Sequence, residues 1–310
     1  MPHSEREVST LTYATDFDFP HWSTLHLHAV EQALEQWVGM DTPADLGQAM
    51  RYAVLDGGKR LRPLLVLAAA QAVQGLPQAA LRAACAVELI HAYSLVHDDM
   101  PCMDNDILRR GKPTVHVQFG QAQALLAGDA LQALAFELLT PADEVAVPAK
   151  IQARLCHLLA RAAGAQGMAG GQAIDLASVG KILDEASLRT MHQLKTGALL
   201  EGSVMMGVAC GQADSIAAPA LLRYGQSLGL AFQVVDDVLD VVADSAILGK
   251  TAGKDAANDK PTYVSLLGLD GARALAQSLM QQAHQALLDS RLPQVHALAA
   301  LANMVVQRAY

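Results

Sequence analysis

The sequence predicts an all-α protein, a single-domain bundle of about 10–13 helices. Three observations carry this. Apolar residues recur at helical spacing along most of the 310-residue chain. Aromatic residues make up only 4%, and no stretch alternates with period two under β-branched enrichment. Glycines and prolines punctuate the apolar runs singly or in pairs, and no Pro-, Gly- or Ser-rich linker divides the chain.

Residues 1–22 are polar and acidic with little periodicity, which predicts a loosely structured N-terminal segment before a domain over 23–310. Leu25, Leu27, Val30, Leu34 and Val38 set a helical stripe, and 46–55 repeats it up to Asp56-Gly57-Gly58, where glycines permit a stop and a tight turn. Lys59-Arg60-Leu61-Arg62-Pro63 opens the next helix, with Pro63 tolerated in its first turn, and Gly75-Leu76-Pro77 breaks it. Residues 79–98 are apolar nearly all round, which predicts a central helix. Pro101 stops it at or just past Asp99. Further helices are predicted over 115–139, 149–163, 183–193, 196–210 and 217–242, with two more in 264–310.

Charge narrows the function. With 22 Lys+Arg against 31 Asp+Glu the formal net is −9, which argues against nucleic acid or an anionic membrane as partner. Four cysteines lie far apart without a C-x-x-C pair, so neither a disulfide framework nor structural zinc is expected. No apolar stretch follows a basic start, and the run 63–81 is interrupted by Gln, Gly and Pro. The expectation is a cytoplasmic protein with no membrane span.

The acidity is concentrated. Asp98, Asp99, Asp104 and Asp106 fall within nine residues at the end of the predicted central helix, in a chain only 17% charged. A second cluster, Asp236, Asp237 and Asp240, sits in an otherwise apolar helix, with Asp236 and Asp240 on one face. Carboxylates crowded near a core repel one another unless a cation holds them, and a helix C-terminus disfavours anions further. An all-oxygen donor set suits Mg²⁺, which commonly takes one or two carboxylates together with substrate phosphates. Arg109 and Arg110 just downstream suit such a phosphate.

Asp98-Asp99-x4-Asp104 and Asp236-Asp237-x-x-Asp240 resemble the two aspartate-rich motifs of the trans-isoprenyl diphosphate synthases. From about residue 45 the likeness continues through Gly57-Gly58-Lys59-Arg60-Leu61-Arg62-Pro63, His91, Arg109-Arg110-Gly111, Gly170-Gly171-Gln172 leading to Asp175, Lys195-Thr196-Gly197, Phe232-Gln233, and Leu248-Gly249-Lys250 through Lys260. The pattern is most similar to the family's bacterial short-chain, farnesyl-type group.

The resemblance implies an isoprenoid-synthase bundle around a deep central cavity. It implies three Mg²⁺ ions, with Mn²⁺ a possible substitute, bridging the aspartates to an allylic diphosphate. Asp98, Asp99 and Asp104, with Asp236, Asp237 and Asp240, would be the metal side chains. Arg109 and Lys195, helped by Lys250 and Lys260, would hold the allylic diphosphate. Lys59, Arg62, His91 and Arg110, beside Gly58, would bind isopentenyl diphosphate. Thr196 and Gln233 would face the carbon that becomes cationic. The reaction implied is condensation of isopentenyl diphosphate with dimethylallyl or geranyl diphosphate by a homodimer. Bulk before the first motif sets product length in the family. Tyr93 and Ser94, five and four positions before Asp98, therefore imply a C15 product, with C20 or C10 as alternatives. Asn105 and Ile107 stand where relatives often carry acids, and the tail offers only Arg308 as a basic residue. A terpene cyclase is disfavoured by Asp236-Asp237-x-x-Asp240 and by Lys59/Arg62. A non-catalytic partner subunit is disfavoured because all six motif aspartates are kept.

Overall fold

The computed structural model describes residues 17–55, 57–142, 147–181, 183–242 and 261–307. Among these it contains thirteen α-helices, a 3₁₀ turn at Pro43–Asp45, a π-turn at Gln193–Gly197 and one two-stranded ladder. The helices are α1 (Phe19–Trp37), α2 (Leu46–Val54), α3 (Leu61–Ala72), α4 (Pro77–Asp98), α5 (Val115–Phe119), α6 (Gln121–Leu139), α7 (Ala149–Ala163), α8 (Met168–Ala177), α9 (Glu185–His192), α10 (Ala198–Ala209), α11 (Ala217–Val242), α12 (Tyr263–Asp289) and α13 (His296–Gln307).

Helix α4 is the centre of the bundle. Its Ala-rich surface lets α3, α6 and α10 approach from different sides, and twelve of its residues are buried. One apolar cluster gathers α4, α6 and α7, and a second joins α3, α10, α11 and α13. A third holds α9, α11 and α12 together. Two helices, Pro77–Asp98 and Gln121–Leu139, are long and apolar enough to cross a membrane by composition; the apolar window of the first is 67% buried inside the fold and that of the second 39%.

Four local features depart from the sequence expectation. Helix α1 begins at Phe19, inside the segment expected to be loose as far as 22. Asp18 caps the amide of His21, Pro20 sits in the first turn, and buried Trp22 donates to Gln71 Oε1 at 2.8 Å. The rest of that segment, residues 1–16, lies outside the described residues. The predicted helix 115–139 is split at Gly120, whose φ of 86° is out of reach for most side chains. Helix α8 falls between the predicted helices 149–163 and 183–193, in a stretch quoted only for the Gly170-Gly171-Gln172 motif. Gly171 is a crossing point: a Cβ there would lie 2.0 Å from the backbone nitrogen of Lys195. Finally, Leu108–Arg109 pairs antiparallel with Lys112–Pro113 across Arg110 and Gly111, both at positive φ (52° and 77°). Two consecutive left-handed residues make the tight hairpin turn that matches strand twist, and two-residue strands are too short to show any alternation.

The loop entering α3 is anchored by a buried charge cluster. Arg60, in the left-handed region at φ 45°, donates to Glu88 Oε1 of α4 and Glu31 Oε1 of α1, both at 2.7 Å, and to the Val54 carbonyl at 2.6 Å. Removing one partner of a buried pair leaves an uncompensated charge. Glu88→Gln should therefore lower unfolding stability by about 3 kcal/mol in urea titration, far more than loss of an exposed pair such as Arg223–Asp289.

Candidate active site

Charged side chains of both aspartate motifs line a cavity of about 540 Å³. Its wall is assembled from the C-terminal turns of α4, the loop after it, α8, the π-turn and α11, with Arg62 reaching in from α3.

The first aspartate motif folds back on its own helix. Past Asp99 the backbone reverses, with the Asp104 amide donating to the Asp98 carbonyl at 2.8 Å and the Asp106 amide to the Asp99 carbonyl at 3.1 Å. Asn105 sits in the reversal at φ 51°, a conformation asparagine tolerates better than most residues. Asp98, Asp104 and Asp106 thereby all line the cavity. Burial, and next among the raising influences the charge of Asp104, push the Asp98 carboxyl up to about 6, with Lys195 opposing. Asp99 behaves differently. It is buried, absent from the cavity wall, and clamped by Arg109, whose Nε and Nη2 donate to Oδ2 at 2.8 Å and Oδ1 at 2.5 Å. Arg109, itself on the cavity wall, also stands 3.9 Å from Asp106 Oδ2.

The second motif divides the same way. Asp236 and Asp240 line the cavity, while Asp237 is buried behind it. Asp237 accepts from Gln233 Nε2 at 2.8 Å and from the Tyr263 amide at the start of α12 at 2.7 Å. Gln233 Oε1 in turn accepts the Thr196 hydroxyl at 2.7 Å. This Thr196–Gln233–Asp237–Tyr263 chain locks the orientation of the Gln233 amide. Asp99 and Asp237, expected among the metal side chains, are thus turned to protein donors, because neighbouring residues on a helix point about 100° apart.

Lys195 and Thr196 stand on the π-turn, a local widening common at functional sites. Lys195 Nζ is held 2.6 Å from Asp175 Oδ2, a carboxylate buried on α8. Gly229 of α11 makes room for the turn, since a Cβ there would lie 2.8 Å from Gly197 Cα.

The basic residues meet on the α3 and α4 side. Arg62 and His91 line the cavity. Arg62 Nε is buried without a protein partner, an orphan donor that an anion would satisfy. Burial, and then the charges of Arg62, Arg110, Arg109 and Arg60, hold the His91 imidazole well below its ordinary pKa, so it is neutral at pH 7. Arg110 faces an adjoining recess shared with Tyr52 and Arg109, and donates to the Gly57 carbonyl. A Cβ on Gly58 would lie 2.8 Å from Arg110 Nη2, so glycine there admits the guanidinium. Lys59 is exposed beside it. Tyr93 and Ser94 line the cavity within two turns of Asp98. Lys250, Lys260 and Arg308 lie outside the described residues.

Gln172, quoted in the family pattern without a role, and Met168 and Leu176, which no motif names, form one wall from α8 at four-residue spacing. That spacing was readable, but only once 168–177 is taken as helical. Asp106 was visible in the first cluster without being assigned a role.

The donors fit a hard cation. Asp98 and Asp104 on one side and Asp236 and Asp240 on the other offer only oxygen. Among the described residues no three acidic, His or Cys side chains converge tightly enough to close a shell unaided. Mg²⁺ needs only one or two protein carboxylates when water and substrate phosphate oxygens complete its shell. Without a cation, Asp98 is a strained group. Its pKa of about 6 lies above the ordinary 3.8, so the native state holds the proton more tightly and loses stability as pH rises from about 4 to 6. Asp98→Asn should stabilise the ion-free protein at pH 7 by on the order of 1–3 kcal/mol. Urea titration in chelator should show that advantage vanish below pH 4.

Comparison with known proteins finds relatives along most of the chain. Residues 43–296 match the polyprenyl synthetase family. The chain is 46% identical to the farnesyl diphosphate synthase of Escherichia coli over 299 residues, covering 94% of this chain and 99% of that one. It is 44% identical over 299 residues to the large subunit 1 of a heterodimeric geranylgeranyl pyrophosphate synthase of Arabidopsis thaliana, covering 95% and 80%. The structure of a Helicobacter pylori geranyltransferase complexed with magnesium and isoprenyl diphosphate superposes with a TM-score of 0.83 at 33% identity, covering 95% of this chain and all of that one. With two aspartate motifs facing one cavity and the family pattern running through most of its length, the chain belongs to the polyprenyl synthetase family.

Proposed function

We propose that the protein is a Mg²⁺-dependent prenyltransferase of isoprenoid biosynthesis that joins isopentenyl diphosphate to dimethylallyl and then geranyl diphosphate, releasing farnesyl diphosphate. The observation that carries this reading is the division of one cavity between carboxylates and an Arg62–His91 basic wall. Such a cavity takes one diphosphate through metal and a second through direct cationic contact.

In this reading Asp98, Asp104, Asp236 and Asp240 hold three ions, with Mn²⁺ a possible substitute. Held there, such ions would supply positive charge to offset what develops on the departing diphosphate. Lys195, positioned by Asp175, and Arg109, positioned by Asp99, hold that diphosphate as the allylic C–O bond breaks. Arg62 and neutral His91, with Arg110 and Lys59, hold the diphosphate of isopentenyl diphosphate. Its alkene attacks the allylic cation, forming the new C–C bond, and one proton leaves to form the new double bond. The Gln233 carbonyl and the Thr196 hydroxyl oxygen present dipoles to the cation. The departing diphosphate takes the proton, and no side chain is required as base.

Relatives named for C20 products match as closely as those named for C15, so product length rests on the cavity itself. Tyr93 is the proposed stop. Burying a further five-carbon unit contributes roughly 4 kcal/mol at about 0.8 kcal/mol per CH₂, enough for one ring to decide the outcome. The chain is proposed to act in the cytoplasm as a homodimer through α5 and α6, whose Val117, Leu125 and Leu126 are each about half exposed.

Purified protein supplied with Mg²⁺, isopentenyl diphosphate and dimethylallyl or geranyl diphosphate should yield a C15 product. No condensed product would overturn the reading. Tyr93→Ala should extend the product towards C20 by chromatography, and a variant still stopping at C15 would remove Tyr93 from that role.

A further inference from the structure

The wall behind Tyr93 has a structure that none of the motifs accounts for. Tyr93 and His97 are four apart on α4 and lie one above the other, and the histidine side chain leans back towards the helix N-terminus onto the tyrosine. Their rings meet edge to face, with centroids 5.6 Å apart and planes at 79°. Both residues line the cavity.

His97 is fixed from its other side by α6. Its Nε2 lies 3.0 Å from the Leu125 carbonyl, and a carbonyl cannot donate, so Nε2 carries the hydrogen. One turn on, Gly128 is buried in the middle of α6. Its φ is not positive, and glycine is a poor helix former, so no backbone requirement places it there. The reason is lateral. A Cβ at 128 would lie 2.1 Å from His97 Nε2, 2.5 Å from Cδ2 and 2.8 Å from Cε1. The imidazole occupies the volume that any other residue at 128 would fill.

We propose that His97, hydrogen-bonded to Leu125 and seated on Gly128, is a positioning residue that sets how far the Tyr93 ring projects into the cavity and thereby the product length. The inference rests on the proposed prenyltransferase reading and on Tyr93 as its stop. Asp98 adjoins His97, so loss of rate alone would not separate a brace from general damage to the metal end. The ratio of product lengths does.

Gly128→Ala drives the imidazole off α6 towards Tyr93 and the cavity. The ratio of C10 to C15 product should rise about tenfold, the scale on which a methylene-sized change in an apolar pocket discriminates. His97→Ala removes the brace, so Tyr93 can swing aside and C20 product should appear. His97→Gln keeps a donor for Leu125 and should restore C15. In a Tyr93→Ala background, His97→Ala should shift the products no further, since coupled residues are not additive. Circular dichroism on each variant checks folding. If Gly128→Ala does not fold, the His97→Ala and His97→Gln pair decides the matter alone. Product ratios unchanged in the folded Gly128 and His97 variants, with Tyr93→Ala lengthening the chain, would overturn the brace and leave the stop in place. If Tyr93→Ala itself stays at C15, the stop fails and the brace with it. A wild type without condensation would remove the reading beneath both.

Discussion

Carboxylates gathered where water is scarce set the terms for everything around them. Asp98 and Asp104 face Asp236 and Asp240 across a cavity cut into a bundle of largely apolar helices. Charge of one sign in that setting is unfavourable unless cations and anions arrive together. Burial, then the charge of Asp104, raises the pKa of Asp98, an unfavourable setting for its charge that a bound cation would relieve. Such strain is stable only because the scaffold over-determines it.

The adjacent aspartates in each motif show how. Side chains next to each other on a helix diverge, so one of each pair reaches the cavity and the other the protein. Asp99 takes Arg109 in a bidentate clamp, which places that guanidinium on the cavity wall. Asp237 ties Gln233 to the first amide of α12, and Gln233 receives Thr196. Asp175 does the same for Lys195 from α8. Arg109, Lys195 and Gln233 are thereby each held by a buried carboxylate that does not itself line the cavity. Glycines make these approaches possible at Gly171 and Gly229, where backbones pass too closely for a Cβ.

The opposite wall works by the reverse logic. Arg62 is buried with an unpartnered Nε, and burial first, then the surrounding guanidiniums, keep His91 neutral. Arg60, one residue from Lys59, has its charge cancelled by Glu31 and Glu88 and serves the fold. Three basic residues in one short stretch of sequence thus divide, with Arg60 serving the scaffold and Arg62 the cavity wall, according to which carboxylates α1 and α4 present.

Much of this was legible in the chain. Helical periodicity, the Pro101 stop and the two aspartate clusters determine the all-α class, the central helix and the oxygen-donor chemistry, because each depends on residues close in sequence. The resemblance of the motifs determined the family. Tertiary structure alone decided which aspartate of each pair faces the cavity, since that depends on helix rotation against neighbours. It also decided that Gly171 is where α8 crosses the π-turn, because the reason for the glycine lies 24 residues away at Lys195. The seat of His97 on Gly128 is of the same kind. A glycine whose purpose is to leave space is indistinguishable, in sequence, from one that bends the chain.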